Sequence, residues 1–263
     1  MQLFYTPDHA RVGDVIPYYE NGEFKLFYLK NWNPYFGSDK TYGWHLLTTK
    51  DLIHYESETA IGILGGTGCI IKVEGLYHLY YCVFEDQPQR QYVCHATSTD
   101  LTNWTKYPDE TFGPDESIYL LTDWRDPHVI WNEEEKCWWM ILCAQNQGNT
   151  KRRGCVGLCK SADLHHWTCC EPLYAPQSSM SAYECPDLFY MNGWWYLVFS
   201  QFTDRFQTLY RMSRSCNGPW IRPKTDSFDG RAFYAAKTCS DGEHRYIFGW
   251  NPTRTQNTWN FDP

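Results

Sequence analysis

Three carboxylates in this chain stand at the head of apolar, strand-like runs. They are Asp14 in Gly13-Asp14-Val15-Ile16-Pro17, Asp126 in Arg125-Asp126-Pro127-His128, and Glu184 in Tyr183-Glu184-Cys185-Pro186-Asp187. Carboxylates brought together repel one another and lose hydration, so a fold does not gather them for stability. A trio in one register suits chemistry that sets a protonated carboxyl beside an ionised one, and cleavage of a glycosidic bond has that requirement. The third carboxylate can hold sugar hydroxyls and stabilise an oxocarbenium-like transition state. Two further runs begin at the same level with Gly66-Thr67-Gly68 and Ala232-Phe233-Tyr234-Ala235. Thr67, Tyr234 and Arg125 are therefore candidate substrate-binding residues. Trp32, Tyr35, Phe36, Trp44 and Trp124 could face the apolar side of a sugar ring, and each is equally suited to a core.

The elements that would position these residues are written into a repeat. A turn followed by an aromatic run occurs at Asn21-Gly22 (EFKLFYL), Glu74-Gly75 (LYHLYYC), Glu135-Lys136 (CWWMILC), Asn192-Gly193 (WWYLVFS) and Asp241-Gly242 (EHRYIFGW). The second turn residues are 53, 61, 57 and 49 positions apart, a near-regular period that marks a repeat architecture. Outer phrases follow at Asp51-Leu52-Ile53-His54-Tyr55, Asp100-Leu101-Thr102-Asn103-Trp104 and Asp163-Leu164-His165-His166-Trp167, with a degraded version at Cys216–Trp220. In each the Asp is suited to cap a tight turn and the aromatic to pack between units. Short strands, frequent turns and no amphipathic run of helical length predict four antiparallel strands per unit. The expected fold is all-β: a single five-bladed β-propeller over residues 1–263, with a central axial funnel. Its fifth blade is short, and the expectation is that Gln2-Leu3-Phe4-Tyr5 or a neighbouring chain completes it, which leaves room for a homo-oligomer.

Composition narrows the function classes. Aromatics make up 18% of the chain, with 13 Trp and 20 Tyr, which favours strands and sugar-binding surfaces. A net charge of −8 gives no electrostatic footprint for nucleic acid or an anionic membrane. No run reaches the roughly 18 apolar residues of a membrane-spanning helix. The amino-terminal segment shows no secretion signal, and the 12 Cys lack paired CxxC spacing. They read as reduced packing residues of a cytoplasmic protein, with no metal and no cofactor expected.

Taken together, the Arg125-Asp126-Pro127 and Glu184-Cys185-Pro186-Asp187 motifs, the three Asp-Leu-x-x-aromatic phrases and Phe233-Tyr234-Ala235 resemble glycoside hydrolase family 32, the β-fructofuranosidases. The resemblance implies a retaining mechanism on a five-bladed propeller acting on sucrose or short fructo-oligosaccharides. In it Glu184 would be the general acid/base, Asp126 the transition-state stabiliser with Arg125 beside it, and Asp14 the nucleophile. The family's Trp-Met-Asn-Asp-Pro-Asn-Gly type motif is replaced here by Arg11-Val12-Gly13-Asp14-Val15-Ile16-Pro17. Asp14 falls just after the family's nucleophile position, with Asp8 the fallback. The family's carboxy-terminal β-sandwich has no counterpart in this sequence. Two alternatives stay open: an inverting arabinofuranosidase or xylosidase of the related family 43, and a sugar-binding propeller with impaired catalysis. Lys160, Arg152 and Arg153 are candidates to meet a phosphorylated sugar.

Overall fold

The computed structural model describes residues 4–7, 10–31, 43–86, 89–148, 150–203, 206–230, 232–251, 253–255 and 258–260. Their regular structure is β throughout, apart from one 3₁₀ turn at Pro108–Glu110. The strands form successive antiparallel meanders. The first sheet holds β1 (Val12–Glu20), β2 (Glu23–Lys30), β3 (Gly43–Thr49) and β4 (Tyr55–Ala60). The second holds β5 (Gly66–Val73), β6 (Leu76–Asp86), β7 (Gln89–Ser98) and β8 (Thr105–Lys106). The third comprises β9 (Tyr119–Asn132), β10 (Cys137–Asn146), β11 (Gly154–Ser161) and β12 (Thr168–Tyr174). The fourth comprises β13 (Glu184–Met191), β14 (Trp194–Gln201) and β15 (Gln207–Ser213), with the single bridges Leu209–Ser227 and Met212–Ile221 in place of a fourth strand. Two hairpins follow, β16 (Tyr234–Ser240) with β17 (Arg245–Trp250) and β18 (Thr253–Thr255) with β19 (Thr258–Asn260).

The first strands pack on one another in cyclic order, β1 on β5, β5 on β9, β9 on β13, β13 on β16 and β16 back on β1. This radial arrangement is a β-propeller. Apolar layers fill the gaps between neighbouring sheets. Phe27, Trp44 and Leu79 lie between the first and second, Tyr80, Val129 and Met140 between the second and third, and Trp139, Leu188 and Phe199 between the third and fourth. Val15, Phe24 and Cys239 join the β16–β17 hairpin to the first sheet. Burying such rings is the main favourable contribution to the fold.

The repeated turns behave as their residues require. Asn21-Gly22, Glu74-Gly75 and Asn192-Gly193 all have positive φ at both positions, which is the type I′ geometry whose twist matches the flanking strands. The outer phrases form capped turns. Asp51, Asp100 and Asp163 each accept two backbone N–H bonds through Oδ1. Thr49, Ser98 and Ser161 accept the N–H of the following left-handed Leu52, Leu101 and Leu164. Backbone and side-chain bonds from His54 to Asp51 and from Asn103 to Asp100, and the His166 side chain and backbone at Asp163, hold the three Asp carboxyls below the ordinary value.

The amino-terminal segment departs from expectation. Among its described residues, Phe4–Pro7 form no strand, and Tyr5 instead packs on Tyr28 and Tyr55 of the first sheet and donates to Glu58 at 2.8 Å.

Two glycines test the fold by different means. At Gly75 φ is +87° and an added Cβ would meet nothing, so Gly75→Ala is expected to cost about 1–2 kcal/mol of backbone strain. At Gly68 a Cβ would fall 1.7 Å from the Tyr80 carbonyl oxygen, which holds the β5–β6 ladder. Gly68→Ala is expected to cost at least about 3 kcal/mol. Urea unfolding midpoints of the two variants check both values.

Candidate active site

All five first strands are broken at one level by an extra residue. The registers shift between Val12 and Val15, Gly66 and Gly68, Arg125 and His128, Glu184 and Asp187, and Tyr234 and Lys237. Asp126, Cys185 and Ala235 have φ of +59°, +49° and +50° within these bulges. A bulge bends the strand and re-aims the side chains around it. Here it turns Asp14, Thr67, Asp126, Glu184 and Tyr234 into one cavity of about 570 Å³. Arg125 lines the same cavity. The expected trio and three of its expected neighbours are thus brought together.

Each carboxylate has its own surroundings. Thr67 donates its hydroxyl to Asp14 Oδ2, and the Trp250 indole N–H donates to Oδ1 at 2.9 Å. Burial, with Asp126 and Glu184 nearby, outweighs those bonds and pushes the Asp14 carboxyl up to about 6. Asp126 is 4% exposed and accepts the Cys185 backbone N–H at 2.9 Å. Burial raises its carboxyl too, against the opposing charges of Arg125 and Lys237. Glu184 accepts from Arg125 Nη2 at 2.6 Å and from the Tyr234 hydroxyl.

Arg125 is the hub of this array. Besides Glu184 it reaches Asp123 at 2.6 Å and Gln91 at 3.2 Å, and its Nε lies 3.8 Å from Asp126. Burial pushes the Cys185 thiol well up, so it remains an S–H donor, 3.6 Å from Asp126 and 3.8 Å from Asp14. Behind the site Asp187 accepts the Thr238 N–H at 2.6 Å, and Lys237 bonds the Pro186 carbonyl at 3.1 Å.

Other expected residues lie elsewhere. Trp44 is 1% exposed and wedged in the first core layer, with its indole N–H on the Gly66 carbonyl at 3.3 Å. It supports the second sheet's inner strand and does not line the cavity. Trp124 is likewise enclosed, against Tyr119 and Phe112. Trp32, Tyr35, Phe36 and Asp8 lie outside the described residues. Lys160 is held by Glu135 at 2.5 Å over the Trp139 ring, and Arg153 by the carbonyls of Gly148 and Thr150. Neither they nor Arg152 line the cavity. Besides Tyr234, the aromatics that do, among the described residues, are Phe84, Phe202, Phe206 and Trp250. Phe206 stacks on Tyr234 with centroids 3.8 Å apart, while Phe84 and Phe202 are exposed. Trp250 closes the fifth aromatic run, a position the repeat itself marks.

A propeller with three unlike carboxylates, a hub arginine and aromatic walls around its axis defines a carbohydrate-active class of domain. The chain belongs to glycosyl hydrolases family 32, whose N-terminal domain matches residues 15–260. It is 26% identical over 258 residues to a levanbiose-producing levanase of Bacillus subtilis (strain 168), covering 89% of this chain and 45% of that protein. It is 28% identical over 243 residues to a sucrose-6-phosphate hydrolase of Escherichia coli, covering 79% of this chain and 48% of that one. A GH32 β-fructofuranosidase from Bombyx mori shares the fold, with a TM-score of 0.70, 24% identity, and coverage of 92% of this chain and 57% of its own. The chain thus spans about half the length of the curated relatives it matches.

The raised Asp14 carboxyl makes a prediction about stability. Its folded value of about 6 lies above the ordinary 3.8, so folding is favoured by protonation and loses stability as pH rises through that interval. Asn cannot ionise. Asp14→Asn is therefore expected to be more stable than the native protein by about 1–3 kcal/mol above pH 6, with the difference vanishing below about pH 4. Denaturant unfolding at pH 4 and pH 7.5 checks it.

Proposed function

We propose that this domain is a retaining β-fructofuranosidase that releases terminal fructosyl residues from sucrose or short fructo-oligosaccharides. The observation that carries the reading is the convergence of Asp14, Asp126 and Glu184 on one cavity in three different environments. Family membership and the names of the levanase and sucrose-6-phosphate hydrolase relatives support the fructosyl specificity. The β16–β17 hairpin is read as the inner half of a fifth blade, supported by its packing on both β13 and β1.

In the first step Glu184, as the acid, gives its proton to the glycosidic oxygen while an Asp14 oxygen attacks the anomeric carbon. The carbon–oxygen bond to the leaving group breaks and a fructosyl ester on Asp14 forms. In the second, Glu184 takes a proton from water, the hydroxide attacks the same carbon, and Asp14 leaves as carboxylate. Asp126 accepts hydrogen bonds from sugar hydroxyls as positive charge develops. Arg125 and Tyr234 hold Glu184 in place through both steps, and Phe84 and Phe202 offer apolar faces to the sugar at the mouth.

Initial rates on sucrose, 1-kestose, inulin and an aryl arabinofuranoside test the reading. Glu184→Ala and Asp14→Asn are expected to lower kcat by about 10²–10⁴-fold, and Asp126→Asn by about 10²–10³-fold. The first-formed anomer, followed by NMR, should keep the substrate's configuration. Native-like turnover by Asp14→Asn would remove it as nucleophile, and inversion on the arabinofuranoside would replace the whole assignment. The nucleophile must be ionised, so kcat/KM should rise with pH through about 6. Trp250→Phe removes a bond that favours the charged form and should move that limb to higher pH.

A further inference from the structure

Where the outer halves of the second and third sheets meet, two histidines share one carboxylate. His95 Nδ1 lies 2.6 Å from Glu110 Oε2, and His165 Nδ1 lies 2.8 Å from Glu110 Oε1. The three donor atoms all fall within 4.8 Å of one another. His95 comes from β7, Glu110 from the 3₁₀ turn beyond β8, and His165 from the capped turn between β11 and β12. No part of the carbohydrate chemistry at the axis uses them.

The surroundings are those of a built site. The His95 ring stacks on Tyr80 at 4.6 Å and on Tyr107 at 5.2 Å, and its Nε2 lies 3.0 Å from His78 Nδ1. The Tyr80 hydroxyl donates to the Leu164 carbonyl at 2.7 Å, which ties the ring beneath His95 to the turn that carries His165. His95 is 3% exposed, Glu110 21% and His165 37%, so the group is fixed at one end and open to solvent at the other.

We propose that His95, Glu110 and His165 form a zinc site clamping the second sheet to the third. Two imidazole nitrogens and a carboxylate are a zinc donor set, with water in the fourth position. Tetrahedral ligands about 2.0–2.1 Å from the ion stand about 3.3 Å apart, so the contacts of 2.6 and 2.8 Å must open by about 0.5–0.7 Å. Glu110 and His165 lie on surface turns that can give by that amount.

The proton inventory also closes. Without the ion, the tautomers that satisfy all three contacts have both Nδ1–H groups donating to Glu110 and His78 Nδ1–H donating to His95 Nε2. With it, both Nδ1 lone pairs face the metal, the His95 proton sits on Nε2, and the His78 bond reverses direction. His78 then orients a ligand ring, as partners of metal-bound imidazoles commonly do.

The test uses the full chain, freed of metal with EDTA and titrated with zinc chloride by calorimetry, with thermal unfolding followed in parallel. One equivalent is expected to bind and to raise the Tm. His165→Ala and Glu110→Gln should each weaken binding at least about tenfold and abolish the Tm shift. His166→Ala, at the neighbouring 89% exposed position, should bind as the native chain does. Absence of one-equivalent binding, or unchanged binding by both site variants, would overturn the proposal and leave a hydrogen-bonded cluster only. So would a loss in His166→Ala that His165→Ala does not share.

Discussion

Asp14, Asp126 and Glu184 share one cavity, and Asp187 lies buried further along β13. Four carboxylates at so small a spacing oppose folding through repulsion and lost hydration, and the surrounding structure is arranged to offset this. Arg125 answers three acidic neighbours at once. Lys237 adds a second buried basic group, and neutral donors supply the remainder: the Cys185 backbone and thiol, the Thr67 hydroxyl and the Trp250 indole. Compensation is partial by design of the geometry, since Asp14 and Asp126 keep raised carboxyl values. At Asp14 this incomplete compensation favours loss of the carboxylate's charge, which bond formation to a substrate would also bring about.

That residual cost falls on the apolar layers between the sheets. They combine aliphatic side chains with wide rings and small thiols, and all twelve cysteines are free. Bulges at the inner ends let the two demands coexist. In each sheet the ladder between the first two strands is interrupted where side chains must face the axis.

Much of this could be read from the amino acids. Turn residues and aromatic runs marked the repeat, Asp-Leu phrases marked the capped turns, and departures from the pattern at the inner strand starts marked the carboxylates. Aromatic rings were harder to place. Trp44 and Trp250 both sit in strand segments rich in their own kind, and only three-dimensional packing decides that one supports a neighbouring sheet and the other meets Asp14. Bulges leave no trace in hydrophobic alternation beyond a Gly or Pro, so the convergence of Arg125 with Gln91 and Asp123 was hidden. The cluster of His95, Glu110 and His165 was hidden for a different reason. It joins positions that the repeat assigns to different units and to unlike elements, so aligning the copies never brings them together.

The bond between Trp250 and Asp14 joins residues 236 positions apart. One partner lies on β1 and the other on β17, so the polar array at the axis is incomplete until the chain has been made as far as β17. Such distant contacts form late, because the loop they close is long and its entropy must be overcome first. Partly made chains therefore carry the first three sheets without a finished centre. Assembly of the axis and closure of the ring are a single event in the life of the molecule.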